Sequence, residues 1–122
     1  MDRKIKITLI YIQELTKNWK KITSATEAAN TSLLEFIKQK KTGCSMKAMF
    51  AKFLLELLGY RVKIVRGYYL SPERWVLHSW IKINEKEYDP SRKDFKITKN
   101  HSRIKHDKKI KSWRQILKLK RG

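Results

Sequence analysis

The sequence predicts a single domain of the α+β class, in which N-terminal helices pack on a small antiparallel sheet. Through the first half of the chain, apolar residues recur every three or four positions, as they do on one face of a helix. From residue 62 to residue 91, short runs of β-branched and aromatic residues replace that spacing, which is typical of strands. The 122 residues suffice for one compact domain and are too few for two.

Three helices are expected before the sheet. The first covers residues 4–22, the second about 26–40, and the third 44–58, where Gly59 follows at the position that favours a left-handed residue. Asp2 is expected to assist the start of the first helix. The apolar positions that we expect to be buried on these helices are Ile5, Leu9, Ile12, Leu15, Trp19, Ile22, Leu33, Leu34, Phe36, Ile37, Met46, Met49, Phe50, Phe53, Leu54, Leu57 and Leu58.

Three strands are expected next, over residues 62–69, 75–83 and 87–91, with a bulge at Gly67. Asn84-Glu85 is interpreted as a two-residue hairpin turn, which sets the pairing of the last two strands. Because side chains alternate along a strand, two faces are predicted for the second strand. The better core face carries Leu77, Ser79, Ile81 and Ile83, and the opposite face carries Val76, His78, Trp80 and Lys82.

The charge is strongly positive, with 30 Lys and Arg residues against 11 Asp and Glu residues and a net charge of +19. We therefore divide the chain into a core, residues 1–92, and a basic C-terminal extension, residues 93–122, packed on or trailing the same domain. Within the extension, Ile110, Trp113, Ile116 or Leu117, and Leu119 are spaced for a basic amphipathic helix. This charge attracts polyanions such as nucleic acid, anionic lipid or acidic protein.

The single cysteine excludes an internal disulfide framework and a zinc site built from several cysteines. It suits a reducing compartment, so we expect a cytoplasmic protein, and we recognise no signal peptide and no apolar run approaching the roughly 18 residues of a membrane span. His101, His106 and Asp107 do not have the spacing of metal ligands, so we expect neither a metal nor another cofactor.

Three residues together suggest chemistry. Cys44 begins the third helix, where free N–H groups favour a thiolate and the oxyanion that forms at an attacked carbonyl. If residues 84 and 85 form the turn, Asp89 points to the same sheet face as His78 and lies diagonal to it, within side-chain reach. A buried inert cysteine, a surface histidine and a turn-forming Asp-Pro are the ordinary interpretations of each residue alone. Taken together, they match the logic of a nucleophile, base and orienting acid.

The residues around these three positions resemble the core of the transglutaminase-like superfamily. The matching segments are Gly43-Cys44-Ser45-Met46-Lys47-Ala48, then Leu54 through Tyr68, His78-Ser79-Trp80 and Tyr88-Asp89-Pro90-Ser91. The resemblance covers about residues 31–92. It implies a papain-like fold and acyl transfer at amides, with Cys44 forming a thioester, His78 acting as base and then acid, and Asp89 orienting His78.

The acyl group then passes to water, as in a peptidase or amidase, or to an amine, as in crosslinking. We expect hydrolysis of a peptide or protein substrate. The basic surface would attract an acidic substrate to the site. Gln39 is considered as an oxyanion donor by analogy with papain-like sites, although glutamine is mostly solvated, and Trp80 either walls the site or lies beneath the hairpin. The oligomeric state is not predicted.

A second class of function is a nucleic-acid- or polyanion-binding module with the same fold. Aromatic residues interleave with cations over residues 63–82, an arrangement that suits stacking and phosphate contacts. However, no zinc-finger, RRM or KH signature is present, and a lysine-rich face is often only solvated.

Overall fold

The computed structural model describes residues 1–103, which form four helices and six strands. The helices are α1 (Arg3–Thr16), α2 (Ala25–Asn30), α3 (Leu33–Gln39) and α4 (Cys44–Leu57). The strands are β1 (Lys20–Lys21), β2 (Lys41–Thr42), β3 (Val62–Leu70), β4 (Trp75–Ile83), β5 (Lys86–Tyr88) and β6 (His101–Ser102). The α+β class is therefore confirmed. No helix in this described range is both long and apolar enough to cross a membrane.

The first helix begins as predicted, because the Asp2 carboxylate accepts the backbone N–H of Lys4 at 2.7 Å. It ends at Thr16 rather than at residue 22. The chain beyond it extends into β1, which pairs in parallel with β2. Trp19 and Ile22 therefore pack against the core from either side of β1, and Leu15 is exposed rather than buried.

The single helix predicted over residues 26–40 is wrong, since two short helices occupy that range. Ser24 and Ser32 each cap a helix by accepting a backbone N–H three residues later, from Glu27 and Glu35 respectively. The chain thus contains two Ser-x-x-Glu starts, and the second begins a new helix inside the predicted one. The new helix turns Phe36 into the core and leaves Leu34 exposed.

Helix α4 lies between α1 and the sheet and supplies the centre of the core. Met46, Phe50 and Leu55 are buried as an amphipathic helix requires, together with two alanines that allow close packing. The predicted stripe is too wide, because Phe53, Leu57 and Leu58 are exposed. Gly59 follows with φ of +96°, the left-handed conformation predicted for it.

The main sheet is antiparallel, with strand order β5-β4-β3-β6. Ile83 pairs with Lys86, so the two-residue turn at Asn84-Glu85 is confirmed and the register of β5 follows from it. On the predicted core face, Ser79, Ile81 and Ile83 are buried. Leu77 on the same face is 63% exposed, because it lies beyond the end of α4 and faces a cleft instead.

The bulge predicted at Gly67 is absent, and β3 pairs with β4 in unbroken register through the Gly67–His78 pair. The glycine is required for a different reason. A Cβ at this position would lie 2.5 Å from the Ser102 carbonyl oxygen and 2.6 Å from the Trp80 ring. Gly67 therefore allows β6 and a buried indole to approach the strand.

The start of the C-terminal extension packs on the core. Phe95 is 4% exposed, and β6 completes the sheet by pairing Tyr69 with His101 and Tyr68 with Ser102. The amphipathic helix predicted around residues 110–119, and the residues His106 and Asp107, lie outside the described part of the chain.

Candidate active site

Cys44 is the first residue of α4, and its thiol is partly accessible at the floor of a cleft. The preceding Gly43 provides no side-chain cap, so the first-turn N–H groups remain directed at whatever occupies the helix N-terminus. A helix of 14 residues places the positive end of its dipole there. The local structure therefore favours a negative charge on or next to the sulfur.

His78 lies on β4 and is held by Asp89, whose Oδ2 is 2.7 Å from the imidazole Nε2. Asp89 follows β5, so the two residues meet across the hairpin on the sheet face that strand parity predicted. The carboxylate is fully buried, and the His78 side chain is 13% exposed. With Nε2 occupied by the carboxylate, Nδ1 is the ring nitrogen left for the sulfur.

The thiol and the imidazole affect each other's ionisation. Burial alone would raise the pKa of Cys44, but hydrogen bonding to His78 and the charge of that ring hold it below its ordinary value of 9.0. The backbone N–H groups of Ser79 and Ser45 contribute in the same direction. The lowered pKa stabilises the thiolate of Cys44 relative to that of an ordinary cysteine, and the thiolate is the form that acts as a nucleophile.

The converse holds for the imidazole. Burial alone would lower the pKa of His78, but hydrogen bonds to Asp89 and Cys44, and their negative charges, raise it to about 9. His78 is therefore protonated at neutral pH beside the sulfur. The arrangement favours an imidazolium–thiolate pair.

The Asp89 carboxylate has three donors. Burial would raise its pKa, yet the pKa lies below its ordinary value because His78, His101 and the backbone N–H of Ser91 all bond to it. Oδ1 accepts the Ser91 N–H at 2.9 Å, and Oδ2 faces both imidazoles. The buried negative charge is thereby satisfied, and its orientation is set by the surrounding groups.

His101 was missed as a site residue, because the basic composition of residues 93–122 suggested a trailing segment. Its Nε2 is 2.7 Å from Asp89 Oδ2, and its side chain is 1% exposed. The sequence contained one indication that this segment packs on the core, namely Phe95, an aromatic residue among lysines. Phe95 is buried and anchors the segment. A strand of two residues carries no periodicity that would reveal His101.

His78, Asp89 and His101 also place their ligand atoms within 4.8 Å of one another, which makes them a candidate metal cluster. The hydrogen bonds argue for a protonic network instead. The Thr98 N–H donates to Nδ1 of His101, so the hydrogen of the neutral ring lies on Nε2, the atom that a metal would need free. We therefore interpret the cluster as two imidazole donors on one carboxylate.

Cys44 and His78 open onto a cleft of about 910 Å³. Helix α2 and the chain before it form one side of the cleft, and the paired ends of β3 and β4 form the other. Arg66 and Arg74 line it and are exposed, whereas no Asp or Glu is among its lining residues within the described chain. The space is adequate for an extended peptide segment to reach the sulfur.

Gln39 is not placed as an oxyanion donor, and of the two positions predicted for Trp80 the structure shows the one beneath the hairpin. Gln39 lies on the exposed side of α3 with its amide 3.4 Å from Glu35, and it is not among the residues lining the cleft. Trp80 does not wall the cleft either, since it is 1% exposed and its indole N–H donates to Glu87 at 2.9 Å. Its ring instead packs edge-on against His101, with centroids 5.1 Å apart. Trp80 therefore supports the histidines from the buried side of the hairpin.

Lys47 is a further neighbour that the sequence did not single out. It lies one turn after Cys44 on α4 and is half-buried. Burial lowers its pKa, while the negative charges of Asp89 and Cys44 act in the opposite direction. Lys47 thus adds positive charge next to the sulfur and the buried carboxylate.

The chain matches no protein-family model, no curated protein and no solved structure. The transglutaminase-like resemblance accordingly rests on the residues quoted above and stays a prediction.

Proposed function

We propose that this protein is a cysteine acyl-transfer enzyme of transglutaminase-like, papain-like type that hydrolyses a peptide or amide bond. The observation that carries the proposal is that Cys44 and His78 line the same cleft, with the thiol at a helix N-terminus and the imidazole bonded to the buried carboxylate of Asp89. Each element of nucleophilic catalysis therefore has a residue in reach of its task.

In the first half of the reaction, the Cys44 thiolate attacks the carbonyl carbon of the scissile amide, and the carbonyl π electrons move to oxygen. The oxyanion is stabilised by N–H groups of the first turn of α4. As the C–N bond breaks, the His78 imidazolium gives its proton to the leaving nitrogen. An amine departs, and a thioester joins the acyl group to Cys44.

In the second half, the neutral imidazole of His78 takes a proton from water, whose oxygen attacks the thioester carbonyl. The C–S bond breaks, the acid is released, and the thiolate re-forms beside the imidazolium. Asp89 remains ionised throughout and keeps His78 in the orientation and tautomer that both steps use. An amine in place of water would give crosslinking, but no Asp or Glu among the described residues lines the cleft at Cys44 to attract an amine, so hydrolysis is favoured.

The substrate class that the cleft suits is an acidic peptide or protein segment. Arg66 on β3 and Arg74 in the turn before β4 line the cleft, and neither forms an ion pair within residues 1–103. Guanidinium groups bind carboxylates in a bidentate manner, and a net charge of +19 steers anions toward the surface. A reducing compartment such as the cytoplasm is consistent with a free catalytic thiol.

The alternative function, a nucleic-acid- or polyanion-binding module, draws on the aromatic residues and cations that interleave over residues 63–82 and on the basic C-terminal extension. No contact among the described residues favours it over the enzyme. It predicts that Cys44 reacts as an ordinary thiol and that binding to nucleic acid disappears at physiological salt without sequence preference.

The proposal is tested by the rate at which iodoacetamide alkylates Cys44 in the folded protein between pH 5 and 9. An imidazolium–thiolate pair predicts rapid reaction at pH 6–7, about tenfold or more above a free thiol because a free thiol is mostly protonated there. His78→Ala is expected to remove that excess. Exposed Lys99→Ala is a matched control for the loss of one positive charge. Slow alkylation that is unchanged by His78→Ala would contradict the proposal.

Substrate class is tested with two peptide chloromethyl ketones that differ only in Glu against Gln. The acidic probe is expected to label Cys44 faster, and the difference is expected to shrink with salt. In the Arg66→Gln, Arg74→Gln double variant the preference should disappear while iodoacetamide reactivity stays normal. Equal labelling of wild type by both probes would argue against an acidic substrate.

A further inference from the structure

His101 shares a single carboxylate oxygen with the residue proposed as general base. Oδ2 of Asp89 lies 2.7 Å from Nε2 of His101 and 2.7 Å from Nε2 of His78. His101 is the more buried of the two imidazoles, with a side chain 1% exposed against 13% for His78. His101 itself is not among the residues lining the cleft, so its partner is the carboxylate and not a substrate.

The tautomer of His101 follows from its second nitrogen. The backbone N–H of Thr98 donates to Nδ1 at 3.0 Å, and the Thr98 hydroxyl lies 3.2 Å from the same atom. A nitrogen that accepts a hydrogen bond carries no hydrogen, so Nε2 carries it and donates to Asp89. The local backbone therefore sets His101 Nε2 as the donor to Asp89.

We propose that His101 is a positioning residue for the Cys44 reaction, one that fixes the Asp89 carboxylate in the orientation that holds His78. This inference rests on the proposed function. The hydrogen bond from His101 and that from the Ser91 N–H anchor the two carboxylate oxygens separately. Rotation of the carboxylate away from His78 would break both bonds. Because the Asp89 side chain is fully buried, its unsatisfied oxygens would be costly.

Strand pairing and ring packing away from the cleft position His101. Strand β6 pairs His101 with Tyr69 of β3, and the Tyr69 ring packs edge-on against the imidazole with centroids 4.9 Å apart. The close approach of β6 depends on Gly67, and Phe95 anchors the preceding loop in the core. The segment that begins the basic extension thus completes the site.

The effect of His101 on ionisation has a definite sign. With one donor fewer, the buried Asp89 carboxylate holds its charge less well, so its pKa rises. Protonation of Asp89 removes the partner that keeps His78 charged beside the thiolate. The titratable and charged groups around this pair on the described elements are Cys44 and Lys47 of α4, Tyr69 of β3, His78 of β4 and Arg92 after β5.

The experiment compares His101→Phe with His101→Gln by the pH dependence of Cys44 alkylation with iodoacetamide. Phe keeps a ring but donates nothing, whereas the Gln amide can reach the carboxylate as a donor. In the Phe variant, the acid limb of the profile is expected to move to higher pH and the rate at pH 6 to fall about tenfold, the size expected for one hydrogen bond to a charged group. The Gln variant is expected to recover most of the wild-type profile.

Val62→Ala separates positioning from simple loss of stability, because it removes core packing at the end of β3 that lies away from the Gly67–His78 pair. Its unfolding midpoint is expected to fall while its alkylation profile stays that of wild type. An unshifted His101→Phe profile, or an equal shift in Val62→Ala, would overturn the inference. Stoichiometric binding of added Zn²⁺ that His101→Phe abolishes would also overturn it, since the ring nitrogen would then serve a metal. Failure of the proposed function is a separate result, in which wild type itself shows no reactivity that depends on His78.

Discussion

Replacing Cys44 by serine is expected to change how the stability of the protein depends on pH. A raised folded-state pKa for His78, about 9 against an ordinary value of 6.5, means that the folded protein holds one proton more than the unfolded chain between those values. That contribution is complete below pH 6.5 and is lost as the pH rises through about 9. On its own it lowers the free energy of unfolding by about 1.4 kcal/mol per pH unit across that interval.

In wild type, Cys44 changes the pH dependence of stability in the direction opposite to His78. Its folded-state pKa is lowered from 9.0, so its contribution is present above pH 9 and is lost as the pH falls through the folded-state value. Where the thiol is ionised only in the folded state, folding releases one proton from Cys44 and takes one up at His78. The two slopes cancel wherever the folded-state thiol is ionised, so below pH 9 the stability of wild type should fall less with rising pH than the His78 contribution alone predicts.

In Cys44→Ser the hydroxyl does not titrate, so the His78 slope is no longer cancelled. Asp89 still raises the pKa of His78, although loss of the thiolate charge makes the interval narrower than in wild type. From pH 7 to pH 8 the variant is expected to lose about 1 kcal/mol relative to wild type, somewhat less than the full single-proton slope. The difference between the two proteins isolates the pair, because all other titrating groups are common to both.

The assay is guanidinium unfolding followed by tryptophan fluorescence at half-unit pH intervals, with linear extrapolation to water. Parallel stability curves for wild type and Cys44→Ser, both falling as the pH rises, would refute the reasoning, because the folded-state thiol would then stay protonated over this range.

Three other substitutions test the site and its supports. Asp89→Asn removes the charge that holds the imidazolium of His78, so alkylation of Cys44 at pH 7 is expected to slow about tenfold, which corresponds to roughly 1.4 kcal/mol. The control Asp94→Asn, in the same loop, should leave the alkylation rate unchanged. Equal rates in the two variants would count against the orienting role of Asp89. Gly67→Ala places a Cβ against a backbone oxygen of β6 and the Trp80 ring, so the free energy of unfolding should fall by about 1–3 kcal/mol. An unchanged free energy of unfolding in a urea titration would contradict that close packing. Gly59→Ala, at φ of +96° with open space around it, should cost about 1 kcal/mol through backbone strain alone, and a neutral effect on the melting temperature would argue against the left-handed conformation.

The strand pairing of the site was predictable, since it depends on local rules. Asn84-Glu85 fixes the hairpin register, and side-chain alternation then places His78 and Asp89 on one face. The start of α4 at Cys44 followed equally from the glycine before it and the apolar spacing after it. These inferences require only neighbours close in the chain, and so the central pair of the candidate site could be derived before any coordinates.

The errors share a different physical origin. The division between α2 and α3 depends on a serine cap at residue 32 that competes with helical spacing. The exposure of Leu77 and Phe53 depends on which parts of β4 and α4 other elements cover. Gln39 was assigned by analogy, and its orientation is set by α3, which turns it toward Glu35. In each case the outcome depends on how whole elements pack, and local pattern carries no information on that.

By itself, the sequence determined that a thiol opens a helix and that a histidine and an aspartate face each other across a hairpin, because capping, alternation and turn length act over a few residues. Only the tertiary structure decided that the helix end meets this hairpin at a cleft, that Trp80 is buried, and that His101 returns from the basic segment to the same carboxylate. Those contacts join residues far apart in the chain, and they form because burial of Phe95, Trp80 and the α4 core brings the segments together.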